Sequence, residues 1–203
     1  MLSSQKAIDL ILKFEGWDNP WEFQGGASGI TIPYGYDLGY EPFLHDWVGK
    51  LDSISFARLS RVVGLKGEMA HTQCATMHTI VIPKQAAVQV FENVTLPRYE
   101  KLTQQTFPNS EKLPSDAFGA LVSVVFNRGA SLVGDRRSEM RQIFASLQIC
   151  DSAVSVPPSV IRQIGDSVKG MAHLWDDHKD SDCDLHDRRI AEAQLIYDSI
   201  PTN

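Results

Sequence analysis

A chain of 203 residues, 43% hydrophobic and 22% charged, can bury one substantial core and has an ordinary globular composition. Its net charge of -6 and pI near 5.5 exclude the basic stripe that a nucleic-acid binder uses to displace counterions. No uninterrupted run of about 18 apolar residues occurs, and Cys74, Cys150 and Cys183, without a CxxC pair, read as reduced thiols.

The opening segment MLSSQKAIDLILKFEG lacks the order of basic region, apolar run and small-residue cleavage site found in signal peptides. The expectation is therefore synthesis in the cytoplasm, with any action elsewhere requiring a separate route of export. Ala7, Ile8, Ile11, Leu12 and Glu15 recur at three- and four-residue spacing behind the candidate caps Ser3 and Ser4. That spacing predicts a short amphipathic helix ending at Gly16. Glu15 closes it beside Ile11, Leu12 and Phe14. An apolar setting raises a carboxyl pKa, and a carboxylic acid still protonated near neutral pH can act as a general acid.

Residues 17–40, WDNPWEFQGGASGITIPYGYDLGY, are too rich in glycine, aromatic and turn residues for helix, and predict two or three short strands. Gly25, Gly26 and Gly29 allow backbone to approach a ligand closely. Thr31 and Asp37 fall on or beside a strand, and Trp17, Trp21, Phe23, Tyr34, Tyr36 and Tyr40 offer flat faces to sugar rings. An acid, a hydroxyl and a second carboxylate within this short span meet the requirements of glycoside hydrolysis.

Beyond this region the pattern predicts helices over 54–64, 68–79, 83–94, 116–127, 137–148, 159–175 and 185–199, with loops at 103–115 and 154–159. Residues 116–126, DAFGALVSVVF, are apolar on every side and predict a buried central helix. The fold class that follows is α+β, mostly α. A small β-lobe at about 17–40 and a larger helical lobe form a single domain over 1–203, with a cleft between the lobes for a polymer.

Two other clusters carry weaker signals. His71, Cys74 and His78 could share a helical face, but no fourth ligand is evident and no metal is assigned. Asp180, Asp182 and Asp184 imitate the start of an EF-hand loop, but Leu185 stands where glycine is required and Ala191 where the bidentate glutamate belongs. Arg188 and Arg189 are expected to pair with carboxylates and fix the last helix. Arg136 and Arg137 either do the same or face the cleft.

Three blocks resemble one known group. FEGW followed by GITIPYGYDLGY is similar to the catalytic region of phage-type lysozymes, and more so to pesticin-like muramidases and related bacterial wall-degrading effectors. ALVSVVFNRGASLVGDRRSEMRQI, residues 120–143, resembles their buried helix, Asn-Arg-Gly turn and following helix. LHDRRIAEAQLIY, residues 185–197, resembles their last helix. The blocks follow the family's order and cover most of the chain.

The resemblance implies a lysozyme-like fold and hydrolysis of the β-1,4 bond between N-acetylmuramic acid and N-acetylglucosamine, without a cofactor. It makes Glu15 the general acid and Thr31 the residue that positions the attacking water. Phage lysozymes carry their second acid nine residues after the glutamate, where this chain has Gln24; the acids between Trp17 and Thr31 are Asp18 and Glu22. Pesticin-like enzymes carry an aspartate six residues after the threonine, which is Asp37 here. Asp37 therefore ranks first as second carboxylate and Glu22 is the alternative. Trp21, Tyr34, Tyr36, Asn127 and Arg137 are the candidate substrate contacts. The implied partners are peptidoglycan glycan strands and, for an injected toxin, a periplasmic immunity protein, with the enzyme itself a monomer. It would act on the wall of a target or host bacterium, as a secretion-system effector or a phage endolysin. A binding module that has lost the chemistry, or a lytic transglycosylase using Glu15 alone, are the other readings.

Overall fold

The computed structural model describes residues 2–16, 22–23, 26–175 and 183–201, with the side chains of Glu22, Phe23 and Cys183 excepted. The described residues are mostly helical with one small sheet, an α+β arrangement dominated by α. They divide into two compact units, one of Met1–Phe14 with Pro97–Asn203 and one of Glu15–Leu96. No helix among the described residues is long and apolar enough to cross a membrane.

The unit of Met1–Phe14 and Pro97–Asn203 holds α1 (Gln5–Glu15) up to its last residue but one. Ser4 starts that helix: its hydroxyl accepts the Ala7 N–H at 3.2 Å and its carbonyl the Ile8 N–H at 3.1 Å. Glu100 anchors the segment before it, accepting the N–H groups of Leu2 and Ser3 at 2.8 and 2.7 Å. The apolar run that predicted a buried helix forms α7 (Ser115–Arg128), buried from Ala117 through Val125. Gly119 is the contact point with α1. A Cβ there would stand 2.3 Å from that of Ala7, so only glycine permits this approach.

Following the chain after the Glu15–Leu96 unit, α6 is Leu96–Thr106, α8 Ser138–Gln148, α9 Pro158–Gly170 and α10 Cys183–Asp198. The last of these packs on α9 and α7, and α8 packs on α9. Gly165 admits the ring of Tyr197, whose Cε1 would lie 2.4 Å from a Cβ at that position.

The Glu15–Leu96 unit contains an antiparallel sheet in the order β1 (Glu22–Phe23), β2 (Ile30–Ile32), β3 (Tyr36–Asp37). It also contains α2 (Phe43–Asp46), α3 (Ser53–Ser60), α4 (Gly67–Met77) and α5 (Lys84–Val90). Helix α4 packs on β1 and β2, so the sheet belongs to a larger unit than the expected lobe of 17–40. Its core is aromatic: Phe43 stacks on Phe56 and on Trp47, with ring centroids 5.3 and 6.0 Å apart, and Tyr36 meets Trp47 edge-on at 5.7 Å.

Two departures from the predicted elements have local causes. The helix expected over 83–94 widens into a π-turn over Phe91–Thr95, where Leu96 N–H reaches the Phe91 carbonyl. Pro97 follows directly, and having no N–H it cannot continue the regular ladder from the preceding turn. Helix α6 then runs on to Thr106, into the stretch expected to be loop from residue 103. Proline is tolerated in a first helical turn, so Pro97 does not end the helical path here.

Candidate functional site

Glu15 is the last residue of α1 and the first of the Glu15–Leu96 unit, and it is half-buried. The helix stops there because Gly16 adopts φ of +67°, the left-handed conformation that closes many helices.

Register brings the other candidates into one row. Thr31 on β2 pairs with Asp37 on β3, and across the other edge of β2 it pairs with Glu22 on β1. Paired residues on antiparallel strands project from the same face, so Thr31 and Asp37 share a side of the sheet. Both are half-buried.

The Asp37 carboxylate is fixed by backbone donors. Its Oδ1 accepts Gly39 N–H at 2.7 Å and Gly29 N–H at 3.0 Å, and Oδ2 lies 3.2 Å from the same Gly29 nitrogen. Two glycines make this possible. A Cβ on Gly29 would stand 2.3 Å from both Asp37 Oδ1 and the Gly39 nitrogen, and one on Gly39 would stand 2.9 Å from the Gly29 Cα. The close approach made by Gly29 is therefore to Asp37 and Gly39, whereas the expectation was an approach to a ligand. The Asp-Leu-Gly sequence at 37–39 signals such a turn, because an aspartate commonly accepts the N–H two residues on.

The aromatic expectations divide sharply. Tyr36 is 2% exposed, donates its hydroxyl proton to Asp46 at 2.7 Å, and packs on Trp47. Tyr34 is 4% exposed and meets Phe91 edge-on, and burial raises its phenol pKa. Both rings are committed to the core and offer no face to a sugar, which corrects their assignment as substrate contacts. The physical reason is the pleat: Ile30, Ile32, Tyr36 and Leu38 supply this small sheet with its buried side. Tyr40 is 60% exposed, but the Lys66 ammonium sits 3.4 Å from its ring centroid and its hydroxyl donates to the Ala27 carbonyl. Trp17, Trp21 and the acidic stretch through Asp182 lie outside the described residues, as does the Glu22 side chain.

Arg188 and Arg189 do pair with a carboxylate. Glu192 Oε1 accepts from Arg188 Nε at 3.2 Å, from Arg189 Nη2 at 2.9 Å and from the Ser123 hydroxyl at 2.5 Å, all of it buried. This network ties α10 to α7. Asn127 is exposed at the end of α7 and accepts from Arg189 Nη2 at 3.3 Å. Arg137 is half-buried and donates to the Arg128 carbonyl, while Arg136 donates to the Leu174 carbonyl at 3.1 Å. Neither makes an ion pair with a carboxylate among the described residues, contrary to the first expectation for them.

On α4, Cys74 is buried, which raises its thiol pKa, while His71 and His78 are exposed. Among the described residues no three His, Cys, Asp or Glu side chains are grouped to hold a metal.

The Glu15–Leu96 unit thus contains a half-buried glutamate at a helix end and, on two strands of its sheet, a threonine and an oriented carboxylate opposite each other. No protein-family model matches the chain, and no curated protein matches it.

Proposed function

We propose that the protein is a peptidoglycan hydrolase of lysozyme-like fold that cleaves the β-1,4 bond between N-acetylmuramic acid and N-acetylglucosamine. The observation that carries this reading is the direct pairing of Thr31 with Asp37, whose carboxylate is held by Gly29 and Gly39 N–H groups. A hydrolase needs a second carboxylate in a fixed orientation opposite its acid, and a hydroxyl that helps it grip a water. Glu15 is the acid and protonates the bridging oxygen as the bond breaks. Asp37 stabilises the oxocarbenium-like charge, and with Thr31 it orients the water that attacks the anomeric carbon and takes that water's proton. Glu22, paired in register with Thr31, is the alternative second acid.

The enzyme would act on bacterial wall glycan after delivery as a secretion-system effector or as a phage endolysin. In the first case an immunity protein would protect the producer.

One observation favours a second reading. The Asp37 oxygens already accept backbone N–H groups, so the carboxylate has a structural task whether or not it meets a water. A lytic transglycosylase would need only Glu15 and would leave a 1,6-anhydro end.

Purified peptidoglycan digested by the wild type and by Glu15→Gln, Asp37→Asn and Glu22→Gln separates these readings. A hydrolase releases muropeptides with reducing ends, one water heavier than anhydro products. Loss of release in Glu15→Gln and Asp37→Asn is expected. Unchanged release in Glu15→Gln would overturn the proposal, and binding without release by the wild type would mark a glycan-binding module.

A further inference from the structure

The second concentration of unusual chemistry lies in the other unit, where α7 ends and a 3-10 turn over Asp135–Arg137 leads into α8. Arg128, Arg136, Arg137 and Arg141 gather there in a protein whose net charge is -6. Among the described residues none of the four makes an ion pair with a carboxylate. Each spends part of its guanidinium on main-chain carbonyls instead. Arg128 donates to Arg136, Arg136 to Leu174, Arg137 to Arg128, and Arg141 to Leu132 and Gly134. These bonds fix the side chains without neutralising them.

Two donors are left over. Arg128 Nε and Arg137 Nη1 are buried and meet no acceptor among the described residues. A buried N–H without a partner loses its hydration and gains nothing in return, so such a pair of atoms calls for an acceptor. Burial, then the charges of Arg137 and Arg189, lower the Arg128 pKa to about 10. Glu139 opposes that effect, without reaching ion-pair distance of any of these arginines. Its own Oε2 is buried and without a partner among the described residues, and its Oε1 lies 3.8 Å from His173 Nδ1. The Trp175 ring lies 5.3 Å from the Arg128 guanidinium carbon, 5.9 Å from that of Arg136 and 6.0 Å from that of Arg189. An indole face compensates such charges in part, and it leaves the in-plane N–H groups open.

From this geometry we propose that Arg128, Arg136 and Arg137 form an oxyanion-binding site, with Trp175 as its wall, that takes a carboxylate- or phosphate-bearing ligand. Guanidinium forks already oriented by carbonyls match the paired oxygens of either group, and little ordering remains to be done on binding. The site lies in the Pro97–Asn203 part of the chain, outside the unit holding Glu15, Thr31 and Asp37, and its ligand binding does not depend on the hydrolytic reading.

Calorimetric titration of the wild type with inorganic phosphate, and separately with citrate, against sodium chloride at matched ionic strength tests the site. Thermal unfolding is followed under the same conditions. Saturable binding of phosphate, of citrate or of both is expected, with a rise in unfolding temperature that chloride does not reproduce. The probe that binds names the chemistry. Arg137→Gln and Arg136→Gln should each weaken binding about tenfold or more, and Arg162→Gln on the exposed face of α9 should leave it unchanged. Arg136 is exposed, with one bond to Leu174, so its variant is expected to fold even if the Arg137 variant does not. Absence of saturable binding by either probe, or equal binding by the wild type and Arg136→Gln, overturns the proposal.

Discussion

Gly29 and Asp37 hold one another in place: the Gly29 N–H points between the two carboxylate oxygens at 3.0 and 3.2 Å, and a Cβ on Gly29 would stand 2.3 Å from Oδ1. The orientation of a candidate catalytic carboxylate therefore depends on the absence of a side chain eight residues earlier. Gly29→Ala is expected to lower stability by about 1–3 kcal/mol through overpacking, because the collision is with Gly39 backbone as well as with Asp37. Gly39→Ala meets atoms at 2.9 Å and beyond, so its effect should be smaller. Urea denaturation of the two variants checks the order, and the reverse order would refute this account of the turn.

Asp37 allows chemistry and structure to be separated. In Asp37→Asn the side-chain oxygen can still accept from Gly29 and Gly39, so the fold should be kept while the charge is lost. Muropeptide release should fall by about 10²-fold or more, the usual scale of a lost acid–base group. Asp37→Ala removes both acceptors and should in addition lower stability by about 1–3 kcal/mol. Equal activity in the wild type and the Asn variant would leave Asp37 with only its structural task.

The Glu192 carboxylate lies between two buried guanidinium groups and a buried hydroxyl. Glu192→Ala should be severe, at about 3–5 kcal/mol, since it leaves Arg188 and Arg189 buried side by side without their shared counter-charge. Chemical denaturation measures this directly, and a loss below about 1 kcal/mol would show that the network contributes little.

Tyr197 gives an alkaline signature. Burial and the 2.6 Å bond to Asp166 raise its phenol pKa to about 12 from an ordinary 10.0. The folded state thus holds a proton that the unfolded state gives up earlier. Stability associated with this group is present below pH 10 and is lost as pH rises through about 12. Ultraviolet titration of the five tyrosines should show a late-ionising component that loses one tyrosine's amplitude in Tyr197→Phe, leaving that of Tyr34. The same variant should unfold less steeply with pH between 10 and 12.

Periodicity in the sequence was enough to place α1, α3, α4 and α7 to α10 within a few residues, because each carries an apolar stripe or, in α7, an apolar surface all round. It was insufficient over 96–106, where a helix with Pro97 in its first turn is entered through a π-turn and runs into the stretch expected to be loop. The aromatic residues of the sheet were legible as aromatic and illegible as buried. A tyrosine on a two- or three-residue strand reads the same whether it faces a sugar or Trp47, and only packing distinguishes them.

By itself the sequence determined the class of the fold, the short strands between α1 and the later helices, the buried α7, and the residues from which an acid and its partners would be drawn. The tertiary structure alone decided that Thr31 and Asp37 stand opposite each other, that two glycine N–H groups hold the Asp37 carboxylate, and that Tyr34 and Tyr36 belong to the core. It also decided that Arg128, Arg136 and Arg137 gather without a carboxylate partner among the described residues. Periodicity records which face of an element turns inward, whereas register, close backbone approach and the company of charges depend on which elements meet.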